Sequence, residues 1–312
     1  MTFRSRDPMA STSTAVTFLT GYSGRKGLLG LLAFPDMLDP KAMFCRMYGY
    51  LDGTWGTHDL EFQCKSITHR TSDDPARRGW WVLGKNGEVA HITGGQVRVE
   101  QIPGAGLNFQ PTLGYVEAIK NIDGELYVCG YGRQVYRQDG AGWTSIADDI
   151  LTRDTGTGFF DLDGVDARHV YAVGWKGEIW FHDGQAWRQD DSPTTVHLGA
   201  VRCVSEDEVW IAGDKGVILH GRFNAWQLIA DPSFTGNWYS IEVFGGKTWL
   251  AGSDVLAWLD GDTVRPVDTG LGREFTVHRL HAKDGLLWAI GRADILVFDG
   301  QSWKEIIHPD NT

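Results

Sequence analysis

The sequence predicts an all-β fold, a β-propeller of four-stranded antiparallel blades, and three observations predict it. Apolar strands ending in Gly recur about every forty residues. Those strands are apolar on consecutive positions, so both of their faces must be covered. An Asp-Gly or similar pair followed by a Trp comes after most of them, in a chain with 40 Gly and 14 Trp among 312 residues. In a two-layer sandwich one face of each strand is usually polar. In a propeller each blade is packed between two neighbours, which suits strands of this kind.

The repeat is anchored on Gly84, Gly130, Gly174, Gly213, Gly252 and Gly291, at intervals of 46, 44, 39, 39 and 39 residues by subtraction. Three positions before each anchor stands an aromatic: Trp81, Tyr127, Tyr171, Trp210, Trp249 and Trp288. The two positions between are apolar, for example Ala172-Val173 and Ile211-Ala212. After each anchor come a short turn and a third strand. Next comes a turn at Asp139-Gly140, Asp183-Gly184, Asp260-Gly261 or Asp299-Gly300. Asp-Gly in a two-residue hairpin points to a type I′ turn, with positive φ at both residues. Trp143, Trp187, Trp226 and Trp303 open the outer strand, and inner strands run through Tyr115 to Ile122, Val196 to Val204, Trp238 to Phe244 and Phe275 to His281.

Six copies are plain. A seventh is placed on Phe18 to Gly24, with Gly21 as its anchor and Asp52-Gly53-Thr54-Trp55 in its outer half. The 63-residue interval from Gly21 to Gly84 is accounted for by an insertion around 30–43 that includes Pro35 to Pro40. The expectation is a polar tail at 1–13 and one propeller over 14–312. Seven blades are expected, with six as the alternative, and pairing of the two chain ends is one way to close the ring.

Composition narrows the function. A net charge of −11 argues against a nucleic-acid or anionic-membrane surface, both of which need clustered Lys and Arg. Cys45, Cys64, Cys129 and Cys203 have no CxxC spacing and read as buried thiols of a reducing compartment. Residues 1–13 lack an apolar signal core, and Gly27 to Phe34 is too short to span a bilayer. A cytoplasmic protein is expected, monomeric on its own and without a cofactor.

The Tyr/Trp-x-x-Gly-x-x-Gly-x-Ile unit followed by Asp-Gly-x-x-Trp, spread over about 14–308, resembles the repeats of photosystem II assembly factor-like propellers and of sialidase-like propellers with a degenerate Asp box. Asp183-Gly184-Gln185-Ala186-Trp187 keeps the Gly-x-x-Trp end of that box and lacks its Ser. The resemblance implies a propeller scaffold; function lies in the sites added to it. A sialidase would also need three converging arginines, a Tyr nucleophile and a carboxylate pair. No spacing singles out three of the nineteen arginines.

No catalytic or metal motif assembles. His278 and His281 are three apart on a strand and point to opposite faces. Asp161-Leu-Asp163-Gly164-Val-Asp166 lacks the length and closing Glu of a calcium loop. Gly24 to Gly27 lacks the Lys-Ser/Thr ending of a phosphate loop.

The departures from the repeat carry more information. The turns after the anchors hold Lys85, Tyr131, Trp175, Asp214, Ser253 and Arg292, with Arg133 and Lys176 beside them. Folding gives no reason for a Trp or Tyr at such a turn, and aromatics with Arg mark binding hot spots. The loops joining one blade to the next face the same mouth and add Leu107, Phe109, Arg153, Phe234 and Trp238.

The expected function is a non-catalytic, protein-binding propeller. Its more specific form is a bacterial immunity protein that covers the active site of a basic toxin, such as a nuclease. One alternative is a sialidase- or lyase-like carbohydrate-active propeller, with Glu117, Arg202, Glu242 and Arg279 converging in the central channel. Another is an assembly factor for a larger complex.

Overall fold

The computed structural model describes residues 15–140, 142–154 and 156–311; the polar tail at 1–13 lies outside the described residues. Its strands form seven separate four-stranded antiparallel sheets, which sets the blade count at seven. The blades occupy residues 16–60, 64–101, 116–145, 159–189, 198–229, 240–266 and 279–305. Strands follow chain order within each blade. The first strands of neighbouring blades pack together all the way round, blade seven against blade one included, so they wall the central channel.

Seven apolar clusters hold the ring, one at each junction between adjacent blades. The doubly apolar second strands make this possible. In blade four Tyr171 and Val173 enter the cluster shared with blade five, while Val170 and Ala172 enter the one shared with blade three. The repeated aromatics Trp81, Tyr127, Tyr171, Trp249 and Trp288 are at most 5% exposed. Burial of each contributes about 1.5–3 kcal/mol. Three outer Trp residues, Trp143, Trp187 and Trp226, tie blades together through their indole N–H groups. Trp187 donates to Ile146 O at 2.9 Å, and Trp226 donates to Asp190 Oδ2 at 2.8 Å.

The structure corrects the placement of blade one. Gly21 is not an anchor; it lies in the innermost strand, Val16–Arg25, and the second strand is Leu28–Pro35. In that register Phe18 faces Ala33, as Cys64 faces Gly84 in blade two. Ala33 therefore takes the anchor position and Gly30 takes the place of the aromatic. A side chain at residue 30 has no room, because a Cβ there would stand 2.7 Å from the ring of Trp80. The segment between the second and third strands of this blade, residues 36–44, consists of turns without a helix.

Turn chemistry is corrected as well. Positive φ at both residues occurs at Asp52-Gly53, Asp123-Gly124 and Asp284-Gly285. At Asp183-Gly184, Asp260-Gly261 and Asp299-Gly300 only the Gly is left-handed. Asp183 and Asp299 instead accept backbone N–H groups with Oδ1: from Gln185 and Ala186 at 3.0 and 2.9 Å, and from Gln301 and Ser302 at 2.9 and 2.9 Å. These bonds hold both carboxyl groups below the ordinary Asp range.

Among the described residues no strand is shared between the chain ends, since each sheet is one contiguous segment. The C-terminal segment closes the ring by docking. Tyr48 donates to Asp310 Oδ2 at 2.6 Å, and the buried His308 ring packs against Phe18, Tyr48 and Trp55.

Candidate partner-binding face

The turns between second and third strands and the connections between blades lie together on one face, here called upper. Each innermost strand carries an extra residue where it reaches this face. The register skips Leu19, Lys65, Glu117, Phe160 and Gly199 in blades one to five. In blades six and seven Tyr239 and His278 donate N–H to Ala251 and Ile290, the residues that already pair with Ser240 and Arg279. A bulge leaves a residue outside the ladder and re-aims its side chain. These seven residues ring the mouth of the channel.

The turns add a second tier. Arg133, Lys176 and Lys215 are left-handed, at φ 59°, 52° and 56°. In blade four the next residue must be Gly: Gly177 has φ 79°, and a Cβ on it would lie 2.1 Å from Thr194 O. This geometry presents Trp175 and Lys176 at the mouth, with Lys176 exposed.

Bulge and turn residues meet in an aromatic cluster. Phe160 lies 5.2 Å from Trp175 and 6.1 Å from Tyr131, ring centre to ring centre. Tyr131 and Trp175 meet edge to face at 5.9 Å, and His197 packs edge-on to Trp175 at 4.7 Å. All four are partly exposed. Tyr115 extends the cluster toward Lys85, whose Nζ stands 5.1 Å above its ring. Beside the cluster is a hollow of about 330 Å³ lined by Tyr131, Trp175, Arg153 and Asp154. Burial and the nearby Glu117 carboxylate raise the Tyr131 hydroxyl above its ordinary range, so it remains a donor.

Of the residues singled out in the sequence, Tyr131, Trp175, Lys176 and Arg153 come together here, with Lys85 at the edge. Arg292 is exposed on the far side of the mouth, and Asp214 is half-buried in its own turn. Phe109 is 37% exposed in the connection after blade two. Two others belong to the scaffold. Trp238 is 1% exposed and stacks on the half-buried Phe234 at 3.9 Å, so it is a core residue and offers no partner contact. Arg133 forks onto Glu178, with Nη2 to Oε1 at 2.7 Å, and lies 4.9 Å over Trp180. Sequence reasoning does not reach Phe160, Tyr115, His197, Leu19 and Tyr239. The doubled Phe159-Phe160 is the available signal, because two large apolar residues in succession break inward–outward alternation at a strand start.

The channel below the mouth does collect charged side chains, as the enzyme alternative anticipates for Arg202, Glu242 and Arg279. Glu117, by contrast, pairs with Lys65 at 2.8 Å. Apart from Arg279, the channel charges are paired: Lys120 with Asp161 at 3.1 Å, and Arg202 with Asp163 at 3.4 Å and Glu242 at 2.8 Å. The acids also join blades, since Asp163 accepts Cys203 N–H at 2.9 Å and Glu242 accepts Ala282 N–H at 3.1 Å. Burial raises the Glu242 carboxyl and lowers His281 well below the ordinary His range. The enclosed space is about 70 Å³, against roughly 300 Å³ or more for a typical small-molecule site. Asp161 and Asp163 thus serve the channel. Asp166, the third acid of that segment, accepts from His169 at 2.9 Å on the opposite, lower face.

Seven blades with an aromatic-rimmed mouth make this a β-propeller with a platform suited to binding another macromolecule. The solved structures it resembles share that fold. YCF48 bound to a D1 peptide gives a TM-score of 0.66 at 16% identity over 98% of this chain and 97% of that one. The WD40 propeller domain of Doa1 gives 0.63 at 9% identity over 95% and 94%. No family model matches the chain. It is 33% identical over 261 residues to the immune protein Tsi7 of Pseudomonas aeruginosa PAO1, spanning 81% of this chain and 85% of Tsi7. The chain belongs to the Tsi7 family.

Proposed function

We propose that this protein is an immunity protein that binds a cognate toxin across its upper face and covers the toxin's active site, with no chemistry of its own. The observation that carries the proposal is the 33% identity to an immune protein over 81% of the chain. The cluster of Tyr131, Phe160 and Trp175, flanked by Arg153 and Lys176, supports placing the contact at the mouth. Partly exposed aromatics beside cations are the usual anchors of protein interfaces. A net charge of −11 favours a basic toxin domain and speeds its capture. We further propose that the protein works in the cytoplasm and as a monomer until the toxin binds. Among the described residues no helix is long and apolar enough to cross a membrane.

The carbohydrate alternative has less support, because every acid lining the channel is tied to a cation and the enclosed space is small. The assembly-factor alternative rests on likeness to YCF48 at 16% identity, which speaks to fold alone. Co-expression with a toxin, to be sought among the genes neighbouring this one, tests the proposal. The expected result is rescue of growth and a stable toxin complex on size exclusion, both lost in a Tyr131→Ala/Trp175→Ala double variant. Rescue without a complex, or full rescue by the double variant, would count against it.

A further inference from the structure

Across the mouth from the aromatic cluster a second, wider hollow of about 920 Å³ opens between blades six, seven and one. Its chemistry differs from that of the channel. Arg279 stands on the innermost strand of blade seven, and its Nε donates to Thr20 Oγ1 at 3.1 Å. Among the described residues no carboxylate lies within ion-pair distance of it, whereas Arg202, two blades earlier, is held by both Asp163 and Glu242. Arg292 lines the same hollow with an exposed side chain. Its turn is fixed from below: its N–H donates to Thr276 Oγ1 at 2.8 Å, and that hydroxyl donates to Asp294 Oδ2 at 2.9 Å. The Asp294 charge is met by Arg273 at 2.8 Å, so it does not compensate Arg292.

The rest of the lining leaves the two guanidinium charges in place. Asp254 is the single acid there and forms no ion pair with either arginine among the described residues. His278 adds no charge at neutral pH, since burial lowers it to about 4 and its ring nitrogen bonds Leu19 O at 3.0 Å. The rim carries Leu19 at 38% and Tyr239 at 42% exposure. A strongly acidic protein therefore presents a locally basic hollow edged by one aliphatic and one aromatic side chain.

We infer that this hollow receives an Asp or Glu side chain from a loop of the bound protein, seated between Arg279 and Arg292, with an adjacent apolar residue on Leu19 and Tyr239. The inference rests on the immunity reading for the identity of that protein and adds a second, anionic anchor to it. Guanidinium groups bind carboxylates through paired N–H···O bonds that fix orientation as well as affinity. A nucleic-acid phosphate is disfavoured, because a long polyanion would approach a protein whose net charge is −11. The two anchors set the register of a partner: aromatic contacts on one side of the mouth, a carboxylate on the other.

The test uses the intact protein and three probes followed by amide NMR: a blocked tetraglutamate peptide, a blocked tetralysine peptide and inorganic phosphate. Tetraglutamate is expected to shift Tyr239, Ser253, Thr276 and Arg292, and to bind at least tenfold more weakly to Arg279→Met/Arg292→Met. Tetralysine should leave these amides unmoved. Arg292→Gln alone, at an exposed position, serves if the double variant does not fold, with a severalfold loss expected. Unchanged tetraglutamate binding in the variants, no shifts at these residues, or phosphate binding more tightly than the peptide would overturn the inference. If the toxin complex forms while tetraglutamate fails to bind, the second anchor is wrong and the immunity reading stands. If the peptide binds at the hollow and no toxin complex forms, the anionic site stands and the immunity reading falls.

Discussion

The channel and its mouth are built from the same seven strands, yet they treat side chains in opposite ways. In the channel Lys120, Asp161, Asp163, Arg202 and Glu242 satisfy one another and bridge neighbouring blades. At the mouth a one-residue bulge in each strand turns Phe160, Tyr239 or Leu19 out of the ladder, where folding uses only part of the side chain. The difference shows where to look for function in a repeat protein. Charged clusters that are fully paired belong to the scaffold, and the binding surface lies where side chains are left partly unused.

That contrast can be broken by substitution. Glu242→Ala should have the largest effect, because it leaves Arg202 without its closest partner and removes the acceptor for Ala282 N–H. Glu242 is buried, but Arg202 is 37% exposed and keeps Asp163, so the cost is about 3 kcal/mol, the lower end for breaking a buried pair, to be read as a lower urea midpoint. Toxin affinity measured well below the melting point should be unchanged. Trp175→Ala should do the converse: a loss of about 2 kcal/mol in toxin affinity, the scale of an interface anchor, with little change in stability.

A titration sharpens the comparison through two histidines, His278 at the mouth and His69 below it. Burial lowers His69 and His278 to about 4, below the ordinary 6.5, so the unfolded chain binds protons that the folded one does not. Stability is then fully present above about pH 6.5 and falls as the pH drops toward 4. Thermal melts across that window should show the decline, and His69→Asn should flatten part of it. The smallest effects are expected at the exposed rim. Lys176→Ala and Arg153→Ala should each change toxin affinity by about 0.5 kcal/mol, mainly through the association rate and its dependence on salt, as stopped-flow mixing at two ionic strengths would reveal.

Much of the fold is legible in the sequence because the same burial problem is solved in every blade. An aromatic, two apolar residues and a Gly recur wherever a second strand is covered on both faces. Blade one escapes that pattern for a local reason: the Trp80 ring occupies the space that its aromatic would fill, so Gly30 and Ala33 stand where the signals should be. At the site, Trp175 and Tyr131 can be found because turns rarely need large aromatics. Phe160 and Tyr239 cannot be placed, since a bulge is a property of the ladder between two strands and leaves only the doubled Phe159-Phe160 as a trace. Trp238 shows the opposite failure. In the sequence it looks like a loop aromatic, and only the packing of Phe234 on its ring reveals it as core.

Hydrogen exchange on the toxin complex tests most directly which face is used. The expected result is added protection in the turns around Tyr131 and Trp175 and at Tyr239, all on the upper face. Protection confined to the lower-face turns at Asp183 to Ala186 and Asp299 to Ser302, with the mouth unchanged, would contradict the assignment.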